Sequence, residues 1–123
     1  MRFEDVVAAL VKAVPDLGPQ IAELHDSWEG DPPSTIVMAT IGEAYVERYE
    51  HLDNSQKNAF FATVEAGLAG QEQSMIDAVA TGLLEAVISE IERGGLDRVE
   101  IFDTQAGPLA RRYVRAWDEL CGL

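Results

Sequence analysis

"EGDPPSTIVMATIGEAYVERYE", residues 29 to 50, decides the fold class. An acidic break with two prolines runs into Ile36-Val37-Met38-Ala39, and then into Glu43, Glu47 and Glu50. A half-buried strand would need alternation, and these four residues do not alternate. A buried strand fits that short run alone. The apolar set Val37, Met38, Ile41, Tyr45, Val46 and Tyr49 continues at helical spacing for about four turns of ~3.6 residues. That length argues for a helix. Ser34 or Thr35 is expected to cap it, with Pro33 just before. Glu43, Glu47 and Glu50 then share the outer side at i, i+4, i+7. Glu47 cannot easily pair with Arg48, because adjacent helical positions diverge.

Working outward, the helical period persists. Leu17, Ile21, Leu24 and Trp28 form a short stripe on the N-terminal side. Before it, Phe3, Val6, Val7, Leu10, Val11 and Val14 make another, stopped by Pro15. On the C-terminal side, Asp53-Asn54-Ser55 is an N-cap cluster leading to Phe60, Phe61, Val64 and Leu68. The longest stripe runs from Met75 through Val79, Leu83, Val87 and Ile91 to Gly94-Gly95, a C-cap signal. Its wide apolar arc places that helix at the centre of the fold. In "LDRVEIFDTQAGP", residues 96 to 108, Val99 and Ile101 alternate around Glu100, and the reading is a loop or a single turn. Pro108 suits a first helical turn. It opens a last helix with Leu109, Tyr113, Val114, Trp117 and Leu120 on one side and Arg111, Arg112 and Arg115 on the others.

The expectation is an all-α chain, a single helical domain over 1–123. It would be a bundle or short α-solenoid of about five to six antiparallel helices joined by short loops. A chain of 123 residues fits one domain and can bury a sizeable core. Its 47% hydrophobic and 25% charged content is ordinary for a globular protein.

The charge balance is not ordinary. Twenty-two acids face nine Lys and Arg, for a net charge of −13. Such a surface repels phosphate backbones and anionic membranes, and it speeds encounter with a basic protein. Residues 105 to 123 are the one non-negative stretch, with two acids and three arginines. The single cysteine, Cys121, allows no internal disulfide and reads as incidental. No window is apolar enough for a transmembrane helix, and "MRFEDVVAALVKAVPD" lacks a cleavage pattern. The expected location is cytoplasmic.

No catalytic chemistry is spelled out. Phosphate-loop glycine patterns are absent, and "GLAGQ" reads as a helix cap. His25 and His51 lie in separate helices with no Cys or His at ligand spacing, so neither a metal nor a cofactor is expected. Ser27, Ser34, Ser74 and Ser89 have no setting that would activate a nucleophile. Trp28, beside the acidic break, is a plausible interface anchor. Trp117 belongs to the core by its place on an apolar stripe. Tyr45 and Tyr49 read as half-buried, with hydroxyls toward Glu43 and Glu47.

Three stretches together carry a resemblance: "HDSWEGDPPSTIVMATIGEAYV", "QSMIDAVATGLLEAVI" and "AGPLARRYVRAWDEL". In this order they resemble a family of small, uncharacterised all-helical bacterial domains, over about residues 14 to 121. Some of its members look like immunity proteins that guard against toxins. The resemblance implies a non-catalytic protein that binds a basic toxin and occludes its functional surface. Binding would rest on aromatic and acidic anchors, expected at Trp28, Glu29, Asp31, Glu43, Glu47 and Glu50. Two alternatives stay open. One is an acidic nucleic-acid mimic that competes for a basic cleft. The other is a homo-oligomeric structural protein, with Phe60 or Phe61 and the last helix as its apolar seam. A metal-binding or small enzymatic role through His25 or His51 is a further reading.

Overall fold

The break at 29 to 33 is followed by a helix. A computed structural model describes residues 2–120, leaving out the side chains at 98 and 99, and it is all-α. Cys121 lies outside the described residues. Among those residues there are seven helices: α1 (Phe3–Ala13), α2 (Leu17–Ser27), α3 (Ser34–Arg48), α4 (Asn54–Ala69), α5 (Gln73–Gly94), α6 (Arg98–Gln105) and α7 (Pro108–Leu120). A 3-10 turn, Tyr49–His51, extends α3. No helix is long and apolar enough to cross a membrane among the described residues.

The start of α3 departs from expectation. Ser34 is the first helical residue of α3, and Pro33 stands at the cap position without a side-chain bond. The Pro33 carbonyl instead accepts from the Ile36 and Val37 amides at 3.0 and 3.1 Å. Helix α4 starts as its sequence predicts. The Gln56 amide donates to Asp53 Oδ1 at 2.8 Å, and the Asp53 amide donates to Gln56 Oε1 at 3.0 Å. Both ends of a capping box are thereby closed.

The segment expected as loop or turn, residues 96 to 108, contains α6. The apparent alternation misled because the deciding residues come later. Ile101, Phe102 and Ala106 are all buried in the main core. The pairing of Phe102 with Ala106 at i, i+4 is helical, and the Glu100 amide is 3.4 Å from Asp97 Oδ1 at the helix start.

Helix α5 is central, as its wide apolar arc requires. Val79, Leu83, Leu84, Val87, Ile88 and Ile91 are each at most 1% exposed. It is not regular. Residues Ala78–Leu84 are π-helical, between α-helical turns at Gln73–Asp77 and Glu85–Gly94. The irregular stretch lies where α5 meets α3. A Cβ on Gly82 would stand 2.7 Å from the Thr35 carbonyl oxygen and 2.8 Å from Met38 Cβ. A Cβ on Gly42 would stand 2.6 Å from the Leu83 carbonyl oxygen. Each helix thus presents a glycine to the other's backbone, and the two approach closer than any side chain permits.

These contacts also set direction. Thr35 and Met38 meet Gly82, while Gly42 meets Leu83, Ala86 and Val87. Residue numbers rise together, so α3 and α5 run the same way. The expectation of antiparallel helices fails for this pair, because α4 provides the return pass between them. Helix α4 does oppose α1. Val6 lies near Gly67, whereas Ala9, Lys12 and Ala13 lie near Ser55, Gln56 and Ala59.

An aromatic cluster joins α3, α4 and α6. Tyr45 stacks on Phe60 with centroids 3.9 Å apart, and Phe61 meets Tyr45, Phe60 and Phe102 edge-on. Phe60 and Phe61 are 0% and 1% exposed, so they supply core and not the apolar seam considered above. Tyr45 and Tyr49 are buried rather than half-buried. Their hydroxyls turn to α6 and not to the glutamates. Tyr45 donates to Gln105 Oε1 at 3.3 Å, and Gln105 Nε2 donates to the Tyr49 hydroxyl oxygen at 2.5 Å. A single amide satisfies both, which is why the phenols can be buried without penalty.

Candidate acidic interface

Glu43, Glu47 and Glu50 sit on the solvent side of α3 and its 3-10 extension, all exposed. The core face of the same helix carries Ile41, Tyr45 and Val46, so the glutamates point outward by helical period. Packing adds a member that periodicity could not assign. Because α3 and α5 run parallel, the end of α5 lies beside the end of α3. This brings Glu90 next to the α3 stripe. Glu90 is largely shielded, with 13% of its side chain exposed, and it pairs with Arg93 Nη1 at 3.0 Å.

The electrostatics register the crowding. The Glu43 carboxyl is held above the usual carboxylate range, first by partial burial, then by the charges of Glu90 and Glu47, with Arg93 opposing. Between the two helices lies a groove of about 260 Å³ lined by Val46, Glu47, Glu50, Glu90, Gly94 and Leu96. Its lining joins aliphatic Val46 and Leu96 to the carboxylates of Glu47, Glu50 and Glu90. A lysine or arginine side chain has the matching form, an aliphatic stem ending in a cation. Gly95, at φ +72°, ends α5 in the left-handed region and lets the chain turn under this groove to Leu96.

Trp28, Glu29 and Asp31 form a separate group. Trp28 follows α2 and is 40% exposed, among the most exposed large apolar side chains described. Glu29 and Asp31 are exposed, while Pro32 is buried and anchors the turn. Asp31 lines a groove of about 500 Å³ with Phe3, Val7, His25, Pro32 and Val37. This group flanks the start of α3, and Glu47 and Glu50 flank its end. A helix of fifteen residues separates them by roughly 22 Å at 1.5 Å per residue. The six anchors expected from the sequence therefore fall into two groups, Trp28, Glu29 and Asp31 before α3, and Glu43, Glu47 and Glu50 on its second half and 3-10 extension.

His25 lines the larger groove, and His51 is exposed in the 3-10 turn. Among the described residues, no three His, Cys, Asp or Glu side chains gather as a cation site would need. Trp117 is partly buried against the core, as its stripe predicts. Comparison with protein-family models, with curated proteins and with solved structures gave no match.

Proposed function

We propose that this chain is a non-catalytic acidic binding protein, of the immunity type, that neutralises a basic bacterial toxin by covering its functional surface. The observation that carries the reading is that packing brings Glu90 to Glu47 and Glu50 along one groove, with Glu43 near enough to feel the charges of Glu90 and Glu47. Three carboxylates line the groove and Glu43 stands near two of them, Glu47 and Glu90, with Arg93 as the opposing cation. The arrangement costs stability through like-charge repulsion, and a cationic partner would relieve it. The net charge of −13 would steer such a partner over longer range. Trp28, Glu29 and Asp31 would form a second contact about one helix length away, with Trp28 as the aromatic anchor.

Binding at both ends of α3 would span an area of standard protein interface size, ~800 Å² per partner. The test is capture from the native host with tagged protein, at low and at high salt, identified by mass spectrometry. The expected result is one stoichiometric basic protein, held at low salt and weakened at high salt, whose activity falls on adding the captured chain. Failure to capture any stoichiometric protein in either condition would overturn the proposal.

A further inference from the structure

The one non-negative stretch of the chain folds into an ordered basic surface. Helix α7 buries Ala110 and Val114 and packs Tyr113 and Trp117 on the core. Pro108, Arg111, Arg112 and Arg115 follow at i, i+3, i+4 and i+7, so they form a second stripe on another face. All three arginines are exposed. They border an open hollow of about 390 Å³ between α6 and α7, with Asp103 on its other side. Arg93 is tied to Glu90, but no ion pair of that kind holds Arg111, Arg112 or Arg115 among the described residues. The start of α7 is already occupied. Glu65 reaches across from α4 and accepts from the Leu109 amide at 2.6 Å and the Ala110 amide at 3.2 Å. An anion in the hollow would therefore meet guanidinium groups rather than the helix end.

We propose that this hollow is a binding site for the phosphate group of a small, polar phosphomonoester. Three guanidiniums against one carboxylate leave two positive charges, which match a phosphate dianion. Arginine forks suit phosphate oxygens in paired hydrogen bonds, where lysine would act as a point charge. The volume falls within the range of small-molecule sites. Pro108 is the one apolar side chain in the lining, so a polar body such as a sugar fits better than an aromatic one. The site lies on α6 and α7, independent of the acidic face on α3 and α5.

The test is an NMR titration of the full chain with glucose 6-phosphate, using glucose and inorganic sulfate as controls. The expected result is saturable shifts confined to the amides of α6 and α7 with the phosphate ester, and none with glucose. Arg111→Gln and Arg115→Gln are each expected to weaken binding roughly tenfold, the scale of losing a charge-assisted hydrogen bond. Asp103→Asn should tighten it, because it removes an anion facing the phosphate. These are exposed positions, and circular dichroism checks that each variant is folded. Equal shifts with glucose, no saturable shifts at all, or indifference to both arginine substitutions would overturn the assignment.

Discussion

Adding one methyl group at the α3–α5 crossing tests the packing on which the acidic face depends. Gly42→Ala would place a methyl carbon 2.6 Å from the Leu83 carbonyl oxygen, about 0.8 Å inside the 3.4 Å at which ordinary contact begins. Gly82→Ala meets the Thr35 carbonyl oxygen at 2.7 Å and Met38 Cβ at 2.8 Å. Neither obstacle is the end of a flexible side chain, so the helices must separate. Overpacking a tight core costs about 1–3 kcal/mol, and backbone obstacles place these sites near ~3. Alanine gains about 1 kcal/mol over glycine inside a helix. The net loss is ~2 kcal/mol for each variant. Gly94→Ala is the internal control. It lies in the last turn of α5, and its Cβ would meet nothing within 4 Å. There only the backbone term remains, and the variant should gain about 0.5 kcal/mol. Equilibrium urea unfolding reads both signs. With a slope of about 2 kcal/mol per molar, the Gly42 and Gly82 midpoints should drop by ~1 M. The double variant should lose less than the sum of the two, because both widen the same gap. Midpoints for Gly42→Ala and Gly82→Ala at or above the Gly94→Ala value would refute the close crossing.

Glu65→Ala removes the acceptor that holds the Leu109 and Ala110 amides, and should cost about 1–2 kcal/mol, with hydrogen-exchange protection lost first in α7. Glu43→Gln should raise stability at neutral pH. A carboxyl whose folded pKa lies above its unfolded value binds a proton more readily when folded, so its ionisation opposes folding, and the gain should vanish in acid where both states are protonated. Unfolding curves of the two proteins across pH would show the difference closing as pH falls. Tyr45 and Tyr113 are both held above the usual tyrosine range, Tyr45 chiefly by burial and Tyr113 by burial and then its 2.8 Å hydrogen bond to Glu85. Their contribution to stability is complete below the unfolded value near ~10 and is lost as pH rises above it. Ultraviolet titration of tyrosinate should accordingly show two phenols ionising together with unfolding.

The fold class was legible because period-3.6 patterns extend over ten or more residues in most of the helices. Pro15, the 29–33 break, Asp53 and Gly94-Gly95 punctuate those patterns where the chain actually turns. The outward position of Glu43, Glu47 and Glu50 was legible for the same reason. What escaped depended on neighbours remote in sequence. Nothing near Gly42 or Gly82 announces that each faces a carbonyl of the other helix, and the parallel run of α3 and α5 follows from that contact. Glu90 joins the acidic stripe only through this packing. Tyr45 and Tyr49 looked amphipathic because their partner, Gln105, lies 60 and 56 residues away. Helix α6 was missed because it is only eight residues long, too short for its period to outweigh a chance alternation at Val99 and Ile101.

The measurement that bears most directly on the proposed role is capture of the host partner by the wild-type chain and by Glu47→Lys/Glu50→Lys, side by side. Both glutamates are exposed, so circular dichroism should show the fold unchanged. The basic partner held by the wild type is expected to be lost from the charge-reversed variant, with release by salt following the same order. Equal retention of the partner by the folded variant would contradict an acidic interface at the end of α3.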